Sequence, residues 1–339
     1  MDDQRGLTDS VTLEHLIVVP RGGLGNGLRA VGAARRLCSV AGAKLTIVWE
    51  FGNYTALFEP DPDVEVLDRV PPYAASLRHI RMPLFSEGGT SKNRRVPICE
   101  DAIILVESWF WFCASEEPLV YERNALVDWL PQPAKAIQDT VREFADAHFL
   151  GGQSLGGKNN GGRTVGMHIR SGDNGTSVVT TPLEAYIAEA DRVIEEGDSI
   201  FLATDSAETE RTMIERFGDR IIVFPKGWDL PFRWPRLTAS SEEMIPDWLE
   251  HQLRAGNHRS GVVDTDLAAA GEELVPDFID MQLLAACDHV IGSQRSSFGQ
   301  MAVRYNGSPL CRLLAAPPVD PVLGKNLGPV QRTRTTGTS

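Results

Sequence analysis

Three groups of residues have types and spacings suited to holding a diphosphate. The first is Ser296-Ser297-Phe298, which follows the short apolar run His289-Val290-Ile291 and opens a helical stripe of Met301, Ala302 and Tyr305. A strand running into a helix start leaves amides without internal acceptors at the positive end of the helix dipole, which makes an anion site. Asp280 begins the preceding helix, whose stripe is Met281, Leu283, Leu284 and Cys287. From there its carboxylate reaches the same crevice and can accept from the N1–H and N2–H of a guanine. The plainer alternative makes both serines ordinary N-caps and Asp280 a surface acid.

The second group is His168-Ile169-Arg170-Ser171-Gly172-Asp173, at the carboxyl end of a strand over 164–169. Ligands of open α/β sheets bind at that edge. An arginine there can hold diphosphate oxygens bidentately while a leaving group departs. His168 and Arg170 are two apart and share one strand face. The plainer version is a backbone-satisfied histidine and an Arg170–Asp173 pair.

The third group is the glycine-rich turn Pro20-Arg21-Gly22-Gly23-Leu24-Gly25-Asn26-Gly27 between a strand over 16–19 and a helix from about Leu28 to Ala41. Gly25 to Ala30 satisfies G-x-G-x-x-A, and Glu50 follows about 20 residues on. This dinucleotide fingerprint makes an NAD- or FAD-dependent oxidoreductase the serious competitor. Against it, five residues separate the strand from the pattern, and the longer loop is suited to presenting Asn26 across a cleft.

These groups need parallel sheets to position them, and the chain supplies two rounds of βα pattern. The first runs through strands at 44–50, 64–67 and 103–107 to a helix over 133–148. The second restarts after the linker Gly151–Gly162 with strands at 164–169, 199–204 and 220–224. Thr181-Pro182-Leu183-Glu184 predicts a capping box, and Asp205 or Ser206 caps the next helix. Asp205 also lies on the ligand-binding edge. Trp109 to Phe112 reads as core or as an acceptor platform. Residues 227–261 form an irregular insertion, and the tail from about Ala316 frays. The expected division is 1–158 and 159–339, two doubly wound domains of the α/β class.

Composition narrows the function classes. The 339 residues carry a net charge of −13, which argues against nucleic acid and anionic membranes as partners. No apolar run suits membrane insertion. MDDQRGLTDS is no signal peptide, and the five scattered cysteines read as reduced thiols of a cytoplasmic protein. Asp264-Thr265-Asp266 and Asp61-Pro62-Asp63 are D-x-D patterns of the kind metal-dependent glycosyltransferases use, but an acidic chain supplies such triplets by chance.

Four segments in this order resemble the GT-B fucosyltransferases, particularly protein O-fucosyltransferases and their α1,6- and α1,2-relatives. They are Gly22 to Asn26, His168 to Asp173, Phe201-Leu202-Ala203-Thr204-Asp205-Ser206, and Asp280 to Phe298. The resemblance implies a GT-B fold, two Rossmann-like domains facing a cleft. It implies inverting transfer of L-fucose from GDP-β-L-fucose to a hydroxyl acceptor, with no metal or cofactor required. The acceptor is a glycan, glycolipid precursor, natural product or protein. A bacterial enzyme fits best, and a non-catalytic GDP-sugar binder on the same fold is the further alternative. By position, Arg170 stabilises the departing GDP and Asn26 reaches the sugar and acceptor. His168, Asp280, Ser296, Ser297, Phe298, Gly23, Gly25 and Asp205 form the nucleotide-sugar set. The family's loop carries a basic residue where Gly23 stands, which Arg21 is placed to replace. Glu50 is the candidate base.

Overall fold

A computed structural model describes residues 12–50, 53–82, 95–97, 101–108, 111–114, 127–149, 162–170, 181–225, 267–293, 296–306 and 311–314. The linker up to residue 161, the insertion at 227–261, both residues Trp109 and Phe110, the 264–266 triplet and the tail from 316 lie outside them.

Among the described residues the chain forms two five-stranded, all-parallel sheets. The first contains β1 (His15–Pro20), β2 (Lys44–Val48), β3 (Val64–Leu67), β4 (Arg78–Met82) and β6 (Ile103–Ser108), ordered β3-β2-β1-β6-β4. A small pair, β5 (Arg95–Val96) and β7 (Cys113–Ala114), stands apart. The second sheet contains β8 (Thr164–Ile169), β9 (Ser199–Thr204), β10 (Ile221–Ile222), β11 (His289–Ser293) and β12 (Cys311–Leu314), ordered β10-β9-β8-β11-β12. Both orders reverse beside the first strand. Such switch points, β1/β6 and β8/β11, open a crevice at the carboxyl ends of the strands. The continuous apolar runs Leu16 to Val19 and Ile200 to Ala203 are buried on both faces, as parallel strands require.

The helices are α1 (Leu24–Ala41), α2 (Tyr54–Leu57), α3 (Lys135–His148), α4 (Leu183–Val193), α5 (Ala207–Phe217), α6 (Leu267–Ala286) and α7 (Ser297–Asn306). One apolar core runs unbroken between the sheets. Leu28, Val31 and Leu37 of α1 join it with Phe201 of β9, Phe278 and Leu284 of α6 and Met301 of α7. Phe58 beyond α2 meets Phe278 edge-on at 5.0 Å, and Phe149 beyond α3 meets Phe201 at 5.4 Å. Trp111 and Phe112 are buried in this core. Cys38, Cys113 and Cys287 are buried free thiols. Among the described residues no helix is long and apolar enough to cross a membrane.

Several local expectations are corrected. The glycine-rich turn is three residues long, and α1 starts at Leu24, not near Leu28. Gly22 has φ 79°, which lets the chain reverse, and the Gly23 carbonyl accepts from the amides of Asn26 and Gly27. Helix propensity disfavours Gly25 and Gly27 by about 1 kcal/mol each, and tertiary packing overrides it. Thr181 forms no capping box, because Pro182 takes the N-cap position and no side chain caps that end. Thr181 Oγ1 instead shares a 3.0 Å hydrogen bond with Ser293 Oγ. Ser206, not Asp205, caps α5 by accepting from the Thr209 amide. The last predicted strand of this βα series shrinks to Ile221–Ile222.

Candidate functional site

The carboxyl edge of the second sheet brings β8 and α7 together. His168 and Arg170 share the face of β8 that carries Gly166, the side covered by α6 and α7. The His168 ring is buried and stacks on Phe298 at 4.7 Å with planes 20° apart. Its Nδ1 lies 3.2 Å from Ser296 Oγ. Ser296 is buried just before α7, and its carbonyl accepts from the Gln300 amide, so the helix proper begins at Ser297. A Cβ on Gly299 would stand 3.4 Å from His168 Nδ1, so the first turn of α7 lies directly over the imidazole.

The start of α1 closes on this edge from the first sheet. A Cβ on Gly25 would lie 2.7 Å from both the Phe298 nitrogen and the Ser297 carbonyl carbon. Only glycine allows the two helix starts to touch. Arg29, one turn on, donates to Gln300 of α7 and fixes the contact. Two helix N-termini therefore converge, and neither carries an acidic residue in its first turn. Their positive dipole ends add at one point. Asn26 sits half-buried in that first turn of α1.

Asp280 corrects its predicted place. It lies deep in α6, not at its start, and is 1% exposed, so it is no surface acid. Leu284 and Cys287 pack on Gly166 of β8. Asp280 is one turn earlier on the same helix face, about 6 Å nearer the carboxyl edge. Arg170 pairs with Asp205 at the end of β9, Nε to Oδ2 at 3.8 Å. Asp173, the partner expected in the plainer reading, lies outside the described residues.

No protein-family model matches the chain, and no curated protein matches it in sequence. Solved structures do. Fucosyltransferase NodZ from Bradyrhizobium superposes with a TM-score of 0.50 at 18% identity, over 86% of this chain and 93% of NodZ. NodZ α-1,6-fucosyltransferase soaked with GDP-fucose gives 0.50 at 20% identity, over 87% of this chain and 91% of that one. A mutant of Arabidopsis thaliana FUT1 in complex with GDP gives 0.55 at 11% identity, over 90% of this chain and 71% of that one. The chain has the GT-B fold.

Within the GT-B frame, the dinucleotide fingerprint loses its structural basis. Gly25 to Ala30 lies wholly inside α1, with Gly25 spent on the contact with α7. Arg21 is not placed as a lone cation at the turn. It pairs with Glu50 and, through Nε at 3.1 Å, with Glu107 Oε1. Sequence reading missed the polar support under the edge. Ser293 ends β11 fully buried and bonds Thr181, and burial pushes the nearby Tyr186 phenol up while its hydrogen bond with Ser293 opposes that. Only the β8–β11 pairing brings these groups together.

Proposed function

We propose that this chain is an inverting glycosyltransferase that moves L-fucose from GDP-β-L-fucose to a hydroxyl acceptor and needs no metal. The observation that carries the reading is the meeting of two helix N-termini at the His168–Phe298 stack, with Arg170 two residues after His168 at the end of the same strand. It supplies cationic and amide donors for a diphosphate on a fold shared with fucosyltransferase structures, one of them soaked with GDP-fucose.

Each side chain then has a task. The diphosphate lies across the starts of α7 and α1, receiving amides near Ser296, Ser297, Phe298, Gly23 and Gly25. Asp280 accepts from guanine, and His168 contacts the ribose or diphosphate. Asp205 orients Arg170. As the bond from fucose C1 to the β-phosphate oxygen breaks, its electron pair leaves with GDP and charge grows on the phosphate. Arg170 meets that charge, and such a preorganised donor is worth about 3–4 kcal/mol. The acceptor oxygen attacks the opposite face of C1 from the side of Asn26, and its proton passes to water as the C1–O bond forms. The lobe division near residue 158 leaves the donor mostly on the second sheet and the acceptor on the first.

Calorimetric titration of the full chain with GDP, GDP-fucose, GDP-mannose, UDP and NAD, with and without EDTA, tests the reading. GDP and GDP-fucose are expected to bind in EDTA and to be lost in Asp280→Asn. NAD binding with indifference to GDP would overturn it. Tight GDP-fucose binding without transfer or slow hydrolysis would make the chain a sugar-nucleotide binder instead.

A further inference from the structure

We propose that the carboxyl edge of the first sheet is a second ligand site, built for the hydroxyls of an uncharged saccharide. In the transfer reaction above that saccharide is the acceptor, and the assignment rests on that reading. Five side chains converge there. Arg21 follows β1, Glu50 follows β2, His79 and Arg81 come from β4, and Glu107 from β6. Strand pairing sets Val19 opposite Glu107 and Arg81 opposite Glu107, so all five occupy one sheet face. It is the face of Ile17, Val48 and Leu105, turned away from α1.

Glu107 is the hub. Arg21 Nε stands 3.1 Å and Arg81 Nε 3.5 Å from its Oε1, and His79 Nε2 lies 3.5 Å from its Oε2. Arg21 is clamped from its other side by Glu50. The hub is buried, while Glu50, Arg81 and His79 open outward, with His79 45% exposed. Glu107 is thus a positioning residue, and Arg81, His79 and Glu50 are the groups that touch a ligand.

The charge balance selects the ligand class. Two guanidiniums face two carboxylates, so an anion meets Glu50 beside Arg21 and Glu107 beside Arg81, and a cation meets Arg81. A polyol satisfies both kinds of group, because each hydroxyl accepts from guanidinium and donates to carboxylate. The place also fits. The Arg21 amide donates to the Ser108 carbonyl at 2.9 Å, and Arg21 stands four residues before Gly25. Four residues span at most about 14 Å, which sets the ring within that distance of the contact between α1 and α7.

The test uses the full chain with GDP present and an array of neutral oligosaccharides printed beside their uronic-acid and sulfated counterparts. Neutral saccharides are expected to be retained over charged ones. Arg81→Ala, His79→Ala and Glu107→Gln should weaken that retention about tenfold, Glu107→Asp should recover part of it, and GDP affinity should stay within twofold. No saccharide bound, preference for the acidic series, or retention unmoved in every variant overturns the proposal. If Glu107→Gln does not fold, the two outward-facing variants decide. Failure of the wild type to bind GDP sinks the donor reading, and the array result is then read separately.

Discussion

The second sheet carries an Arg–Asp pair at each end of the same two strands, and the two pairs are built differently. Arg163 and Asp198 precede β8 and β9, while Arg170 and Asp205 follow them. At the amino edge the pair is closed. Arg163 Nη2 donates at 2.7 Å and Nε at 3.2 Å to Asp198 Oδ2, and the amides of Arg163 and Glu195 donate to the same carboxylate at 2.9 and 3.0 Å. At the carboxyl edge the ions stand 3.8 Å apart. The exposures differ as well. Arg163 is 46% exposed with Asp198 nearly sealed, whereas Arg170 and Asp205 are 16% and 15% exposed. The same two residue types thus serve as a staple where the carboxylate is saturated. Where the arginine is drawn inward at the carboxyl edge, they form the looser ion contact that the proposed reaction assigns to the diphosphate.

Breaking the carboxyl-edge pair has the largest expected effect. Arg170→Ala should lower fucose transfer or GDP-fucose hydrolysis about a hundred- to a thousandfold, the worth of a donor to developing phosphate charge. GDP affinity should fall only in part and the melting temperature should barely move. Retained turnover would remove Arg170 from the mechanism and with it the contrast between the two edges.

The amino-edge staple should answer in stability instead. Burial alone would raise the Asp198 pKa, but the hydrogen bonds from Arg163 and from the two amides outweigh it and hold the carboxyl below its ordinary range. Because the folded value is depressed, the stabilisation is present above the unfolded value near 3.9 and is lost as pH falls through the folded one. Asp198→Asn should therefore cost about 2 kcal/mol near pH 7, a charged hydrogen-bond set discounted for the exposed arginine. Thermal melts should show the gap to wild type closing below about pH 4. GDP affinity of the folded variant should be unchanged; a loss would mean the two edges are coupled.

Much of this fold was legible because its strands are apolar runs bounded by polar or glycine residues, as at Leu16 to Val19 and Ser199 to Thr204. Helix starts were read less well. Gly25 and Gly27 look like turn residues by propensity, and only the approach of the α7 backbone to Gly25 explains glycine inside a helix. Thr181 looks like a cap until Ser293, more than a hundred residues on, claims its hydroxyl. The residue types at the second-sheet edge were visible, but the pairing of Arg170 with Asp205 depends on β8–β9 register. The ring around Glu107 was invisible for the same reason. It draws on strands β1, β2, β4 and β6, and β4 reaches it only by the crossover that sets it beside β6.

The smallest effect is the most discriminating between a staple and a poised site. Asp205→Asn removes the charge facing Arg170 without removing bulk. If the carboxyl-edge pair contributed as the amino-edge one does, stability would fall by a similar amount. A 3.8 Å separation makes this ion contact looser than the 2.7 Å one at the amino edge, so the melt should shift by less than for Asp198→Asn. The consequence should appear in the ligand. With Asp205 neutral, Arg170 meets an anion with less competition, so GDP should bind as tightly or slightly more tightly, while turnover drops several-fold because the guanidinium is less well oriented. Calorimetry and a melt on one variant give both numbers. A destabilisation near that of Asp198→Asn with weakened GDP binding would show that the carboxyl-edge pair is a second staple.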